Sequence, residues 1–539
     1  MHNLTKLLFP TRGSNLLAGS LRSSYRSLGS PIVNRIFVAK MSSTHNVPKL
    51  NDPTLLVTLP FINGSFVPLA AGQDTFDVLD PVSGSVIASC PDQGVAETTE
   101  AINHAAAAFK TFRKTSPRER ANLLKKWNAL MMENKEDLAT LITWENGKPI
   151  ADARGEVAYA ATFLEWFAEE APRLYGDTIP SSTATNRVVT LRQPIGVAGL
   201  ITPWNFPAAM VTRKIGPALA AGCTVVLKAP GETPLTSLAL AELARRAGFP
   251  AGTINVITTL ANTKEIGKEL CTNPIIKKLS FTGSTAVGKI LMEQSSSTLK
   301  KLSFELGGNA PFIVFDDADL EKAVAGAVMC KFRSSGQTCV CANRIFVQEG
   351  IYDKFAEALA AKVKQFSVGS GFKDGTTHGP LIHDIAVKKV HEHVEDARQA
   401  GANVVVGGRK MEEQGINFYE PTLITGMTKE MRIFKEETFG PVAALFKFKS
   451  EKEVVELANE SEVGLAGYFY SNDYARIWRV AEALEVGMVG INTGIISDPA
   501  APFGGVKQSG FGREGSKYGI EEYTQIKMMT FGGIGELEE

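Results

Sequence analysis

A chain of 539 residues exceeds the roughly 250–300 at which a single core stops growing, so two or three domains are expected. With 44% hydrophobic and 21% charged residues it has the apolar content of a folded protein, and 57 basic against 57 acidic side chains leave no net field to draw it to nucleic acid or an anionic membrane. A small molecule is the expected partner. No uncharged apolar run reaches the about 20 residues of a membrane helix, and GVAGLITPWNFPAAMV is interrupted by two prolines. Six cysteines (Cys90, Cys223, Cys271, Cys330, Cys339 and Cys341) are too few for the disulfide framework of a secreted protein, which points to a reducing compartment. There is no CxxC pair, and His391 and His393 are spaced i,i+2 in a helix-like segment, where side chains do not share a face, so no metal is expected.

In chain order, the first segment is basic and free of acid. Lys6, Arg12, Arg22, Arg26, Arg35 and Lys40 are interleaved with serines and short apolar clusters, and the first acidic residue is Asp52. This composition over 1–40 suits a transit peptide to the mitochondrial matrix, the alternative being a plain basic tail. Met41 offers a second start, and with it a cytosolic form. In SPRERANLLKKWNALMMEN, Ser116 can cap, Pro117 fits the first turn and Glu119 completes a capping box, which predicts a helix. PIGVAGLIT and GCTVVLKA are continuous apolar strands separated by the helical MVTRKIGPALAAG. LTSLALAELARRAG, ending at Gly248, is a second helix before the strands TINVIT and IKKLSF. Such βαβ alternation predicts a doubly wound parallel sheet that binds a nucleotide at its carboxyl edge.

Three features carry chemistry weakly when taken one at a time. FTGSTAVGK turns from strand to helix with Gly283 and Gly288 bracketing Ser284, where backbone N–H groups can hold a phosphate, although any tight turn of this kind favours glycine. Glu305 in FELGGNAP reads equally as a solvated acid at a strand end, and Asn205 in TPWNFP as an ordinary turn residue.

In order along the chain, PWNFP, FTGSTAVG, FELGGNAP, GQTCVCANR, EETFGPV and PFGGVKQSG together resemble the aldehyde dehydrogenase superfamily over about residues 50–530. GQTCVCANR, the arginine of MVTRK and SGFGREGSKYGIEEY most resemble the branch acting on succinate semialdehyde, in its fungal form. The resemblance implies an α/β fold with a Rossmann-type nucleotide-binding domain (50–171 and 194–307), an α/β catalytic domain (308–510) and a small β oligomerisation element (172–193 and 522–532), hence a homodimer or homotetramer. It also implies oxidation of succinate semialdehyde to succinate with NAD or NADP, the exit step of 4-aminobutyrate breakdown. Another carboxylated semialdehyde, such as glutarate semialdehyde, is the alternative. Cysteine hydrolase chemistry would need a histidine partner, and none of the seven histidines lies near Cys339 in sequence.

Carried over residue by residue, the resemblance makes Cys339 the nucleophile, whose thiol the site must help to ionise. Asn205 and the Cys339 N–H become the oxyanion donors, and Glu305 the base that activates water. Trp204, Lys228, Gly231, Gly283, Ser284, Gly288, Glu437 and Phe439 would bind the cofactor. Arg213, Arg333 and Ser497 would hold the substrate carboxylate, for which a planar guanidinium suits two parallel hydrogen bonds. Two positions depart from the pattern. Gly231 stands where many NAD-using relatives carry glutamate, which predicts that NADP is accepted, and Asp498 follows Ser497 where relatives place a smaller neutral residue. If the segment were extended, Cys339 and Cys341 would have Cα atoms about 6.6 Å apart on one face, near the limit for a disulfide. A reversible redox pair at Cys341 is therefore expected, the alternative being a small buried filler residue.

Overall fold

Val197–Ile201, Thr224–Lys228 and Ile254–Ile257 are buried along their whole length, as apolar runs covered on both faces must be. In the computed structural model, which describes residues 48–535, they join Ile276–Thr282 and Lys301–Glu305 in a parallel array. The spatial order is 254–257, 224–228, 197–201, 276–282, 301–305. Antiparallel strands rim the sheet: Phe61–Ile62 with Ser65–Phe66 at one edge and Gly510–Phe511 at the other. The chain winds outward from 197–201 in one direction and then returns to its other side. The topological switch point therefore lies between strands 197–201 and 276–282, and a ligand crevice is expected outside their carboxyl ends.

The intervening helices form as their local sequence dictates. Pro117–Glu133 starts at Ser116, whose Oγ accepts the Glu119 N–H at 3.2 Å while Glu119 Oε2 accepts the Ser116 N–H at 2.6 Å. Ala209–Ala221 stops at Gly222, whose φ of 93° is the left-handed conformation that glycine adopts without a Cβ penalty. Both pack with Ile150–Glu170 in one core around Trp127, Phe163 and Phe167.

A second sheet runs 403–406, 422–427, 442–448, 342–348, 310–314, 466–470, 488–491, parallel throughout except for its first strand. The four-residue link 306–309 joins the carboxyl end of strand 301–305 in the first sheet to the amino end of Ala310–Val314 in the second. Beside Ala310 the neighbouring strand begins at Ala342, in register with it. The loops that precede these two strands thus face the crevice of the first sheet. A third, three-stranded antiparallel sheet pairs Thr178–Ile179 and Thr524–Phe531 with Arg187–Pro194, and leaves Ile526 and Met528 exposed at 64% and 62%.

Candidate active site

Helix Leu320–Phe332 ends at Arg333, and the chain then takes left-handed conformations at Ser334, Ser335 and Gly336 (φ 50°, 54° and 76°). Consecutive left-handed residues, two of them not glycine, persist only where the surroundings fix them. Here Ser335 Oγ donates to Gly379 O at 2.8 Å, and Gln337 Oε1 accepts the Ile382 N–H at 3.0 Å. A turn follows: the Cys341 N–H donates to Thr338 O at 2.9 Å, with Cys339 and Val340 at its corner. The extended geometry expected for Cys339–Cys341 is therefore incorrect, because the Thr338 carbonyl folds the segment back. Both thiols are free. Cys339 is half-buried, and Cys341 is buried with its Sγ 3.6 Å from Lys331 O. Burial pushes the Cys339 thiol up to about 12, opposed by Arg213 and reinforced by Glu437 and Glu305. The resting site thus keeps the thiol protonated instead of ionising it, so a base must remove the proton as it reacts.

Glu305 ends its strand buried, with Oε2 lacking any hydrogen-bond partner. Burial first, and then the charge of Glu514, lift its carboxyl well above the usual carboxylate range, against the pull of Arg213, Lys214 and Arg513. Such a carboxyl is a stronger base than an ordinary one. Gly308, three residues on, lets the Glu305 strand end approach the Cys339 turn closely: a Cβ at this position would lie 2.5 Å from the backbone oxygen of Cys339. Gly308→Ala should therefore push the nucleophile turn away and reduce kcat on the order of 10²-fold, the scale of an ångström-sized displacement at a reacting centre. Unchanged kcat in a folded variant would show that the close packing does not set the geometry.

Asn205 is buried after strand 197–201. Its Nδ2 donates to Gln337 O at 3.1 Å, which ties the amide to the loop carrying Cys339, and its Oδ1 has no partner. Arg213 and Lys214, on the next helix, are buried and share Glu514 as counter-ion. Lys214 also donates to Ser280 Oγ at 3.0 Å. Burial would depress Arg213, but Glu514, then Tyr159, Cys339 and Glu305, raise it overall, so its charge is permanent. Burial raises the Tyr159 phenol, while Arg213 and then Arg333 and Ser497 lower it, so these groups lie near one another. Arg333 is exposed and lies 5.4 Å from the Phe206 ring centroid. The departure at Asp498 is absorbed locally, since its Oδ1 accepts the Ala500 N–H at 2.8 Å.

At the switch point, Thr202 and Thr282, at the carboxyl ends of the two flanking strands, carry buried hydroxyls without partners. Unpaired groups in this place fit a dinucleotide in the crevice. Lys228, buried with its Nζ on Ala229 O at 3.1 Å, ends the adjacent strand, and burial lowers its pKa. A Cβ on Gly231 would come 2.7 Å from Leu260 Cδ1, the end of a half-exposed side chain. Gly283 is not available to a phosphate, because its N–H donates to Glu305 O at 3.0 Å. Ser284 Oγ accepts the Val287 N–H at 3.3 Å, and Gly288 packs under Leu306. The helix-start N–H groups left for an anion are those of Thr285 and Ala286. On the other side, Glu437 Oε1 accepts the Gly308 N–H at 3.3 Å, and burial raises its carboxyl to about 7. Phe439, at φ 55°, sets its ring edge-on to Trp204 at 5.7 Å.

Comparison with known proteins decides the family: the aldehyde dehydrogenase family pattern matches residues 69–529. The chain belongs to the aldehyde dehydrogenase family. It is 56% identical to the Escherichia coli K12 protein named succinate-semialdehyde dehydrogenase [NADP(+)], covering 90% of this chain and all of that one. It is equally 56% identical to a Pseudomonas putida glutarate-semialdehyde dehydrogenase, over 89% of this chain and 99% of that one. The crystal structure of succinate-semialdehyde dehydrogenase from Burkholderia pseudomallei superposes with a TM-score of 0.89 at 54% identity, covering 90% of this chain and all of that one.

Five residues that the sequence did not single out lie among the candidate site residues: Glu514, Lys214, Tyr159, Gln337 and Gly308. Glu514 and Lys214 meet across 300 residues of sequence, and Glu514 in FGREGSK looks like any surface acid. Lys214, Gln337, Glu514 and Gly308 all lie inside quoted motifs, and for Gly308, in FELGGNAP, a pair of glycines after a strand already signals close backbone approach.

Proposed function

We propose that the protein oxidises succinate semialdehyde to succinate, with NAD(P)+ as hydride acceptor and water as the second reactant. The observation that carries this reading is the placing of two guanidinium groups by the half-buried Cys339: Arg213, whose charge reaches it, and Arg333, on the loop that leads to it and 5.4 Å from the Phe206 ring centroid. Two guanidinium groups near a reactive thiol suit a short aldehyde with a terminal carboxylate. The identity to a succinate-semialdehyde dehydrogenase supports it, and the equal identity to a glutarate enzyme keeps the homologue one methylene longer as the competitor.

Glu305 takes the Cys339 proton as sulfur adds to the carbonyl carbon. The resulting oxyanion is stabilised by Asn205 Nδ2 and the Cys339 N–H. Lys228, Trp204, Phe439 and Glu437 would hold the dinucleotide, which when bound would supply the hydride acceptor. Glu305 passes that first proton to solvent and, ionised again, takes a proton from water, whose oxygen attacks the thioester carbon; the Cys339 thiolate leaves and is reprotonated, and succinate departs as its second proton is lost. The balance is aldehyde, NAD(P)+ and water to carboxylate, NAD(P)H and two protons. Because no carboxylate stands at 231 to repel a 2′-phosphate, NADP is accepted.

Following NAD(P)H with each semialdehyde and a neutral aldehyde of similar length tests the reading. Arg333→Ala should cost about 1.5–3 kcal/mol in kcat/KM for succinate semialdehyde and far less for the neutral aldehyde. Equal losses would remove Arg333 from the carboxylate site. If glutarate semialdehyde is used better by more than the 10-fold or so that one methylene is worth, the homologue is the substrate.

Three features complete the reading. The exposed edge 524–531 pairs between subunits in a homodimer or homotetramer. The basic segment 1–40 lies outside the described residues, and its composition supports a mitochondrial address. Peroxide converts the Cys339 thiol to a sulfenic acid with loss of water, and Cys341 displaces a second water to close a disulfide that dithiothreitol opens. The turn brings the two Cα atoms closer than an extended chain would, but Cys341 must swing off Lys331 O to react.

A further inference from the structure

Lys148 and Glu156 form an ion pair, Nζ to Oε2 2.6 Å, with side chains 2% and 0% exposed. The same Nζ donates to the backbone oxygen of Asn205 at 2.8 Å and lies 4.1 Å from the Phe206 ring centroid. The other carboxylate oxygen, Glu156 Oε1, accepts the N–H groups of Ala208 at 2.9 Å and Ala209 at 3.3 Å. These open the helix Ala209–Ala221, whose N-cap residue Ala208 provides no side-chain cap of its own. The pair therefore grips the main chain at both ends of the segment 205–209.

A buried ion pair is a poor stabiliser, because desolvation offsets the attraction, so its presence calls for another purpose. The segment it grips supplies that purpose. Asn205 Nδ2 spends one N–H on Gln337 O, at 3.1 Å, and the direction of its second N–H depends on where the main chain of residue 205 sits. A charge-assisted hydrogen bond to the carbonyl of that same residue fixes the position without touching the amide. Asn146 Nδ2 adds a weaker tie on Trp204 O at 3.1 Å.

We propose that Lys148 and Glu156 are positioning residues for the oxyanion donor: they hold the Asn205 main chain so that its amide meets the charge forming next to Cys339. The proposal rests on the reading of Asn205 as that donor. It does not depend on which aldehyde is oxidised, because any acyl transfer to Cys339 passes through the same oxyanion.

The test uses the full-length protein and two readouts: the burst of NAD(P)H with succinate semialdehyde, and acylation by p-nitrophenyl acetate, which needs neither dinucleotide nor a carboxylate tail. Asn205→Ala should slow both on the order of 10²–10³-fold, the cost of one oxyanion donor. Lys148→Met should slow both on the order of 10–10²-fold, with KM for the dinucleotide unchanged. Adding Lys148→Met to Asn205→Ala should cost less than about 3-fold more, because the two act through one group. If Lys148→Met proves unfolded, Lys148→Met/Glu156→Gln, which removes both charges together, is measured against the same criteria. Full additivity with Asn205→Ala, or acylation by the ester at the wild-type rate, would overturn the proposal. A wild type that oxidises no semialdehyde yet is acylated by the ester would refute the proposed function and leave the positioning role to be decided by the ester readout.

Discussion

Glu305→Gln is expected to lower steady-state kcat on the order of 10²–10⁴-fold, the span of a positioned general base. The carboxyl is buried, its Oε2 has no partner, and the link 306–309 together with Gly308 holds it against the nucleophile turn. Glutamine keeps the volume and removes the basicity. Cys339 should still be acylated, more slowly, and then fail to turn over, so that NAD(P)H stops at about one equivalent per site. The pH profile of the wild type follows from the same carboxyl. Its pKa is raised by burial and by Glu514, and the base works only when ionised, so activity should rise with pH through a limb well above the ordinary glutamate range. In Glu305→Gln that limb should vanish, and its persistence in stopped-flow measurements would assign the base to another group.

Glu514→Gln should be the most destabilising single change at the site. It leaves Arg213 and Lys214 buried with no counter-ion, and breaking a buried pair in this way costs about 3–5 kcal/mol, which denaturant unfolding can read. The sign with pH is defined. Arg213 and Lys214 hold the Glu514 carboxyl below its ordinary value, although burial acts the other way. Its contribution is therefore present above the unfolded pKa and is lost as pH falls through the lower folded value, so wild type and variant should converge in acid. Catalysis should shift as well. Removing the negative charge leaves Arg213 and Lys214 to favour ionised Glu305, and the acid limb should move to lower pH. A limb that moves upward would contradict the electrostatic account.

Much of this architecture was legible because the signals are local. Strands 197–201 and 224–228 are buried on every residue, as their apolar runs lead one to expect, and the box at Ser116 and Glu119 forms as its spacing requires. Cys339, Glu305 and Asn205 were legible only as members of ordered motifs. Glu305 and Asn205 taken singly had ordinary explanations, and the structure joins them to the Cys339 loop through Gly308 and Gln337. What escaped was long-range or conformational. The Arg213–Glu514–Lys214 cluster and the Lys148–Glu156 clamp on Asn205 depend on contacts with no sequence spacing to mark them. The turn at Cys339 depends on the Thr338 carbonyl and on left-handed Ser334 and Ser335, residues whose identity does not announce that conformation. Gly283 shows the opposite failure: a glycine at a strand-to-helix turn suggested phosphate binding, and its N–H is used to hold Glu305 O.

Cys339 as the acyl carrier and Glu305 as the group that frees it together form the central claim, and peptide mass measurement on Glu305→Gln tests them at once. After incubation with succinate semialdehyde and NAD(P)+, the peptide containing Cys339 should carry one succinyl group, absent without dinucleotide and absent from Cys339→Ala. An unmodified Cys339 peptide in a protein that has formed one equivalent of NAD(P)H, or the acyl group on another residue, would contradict the account.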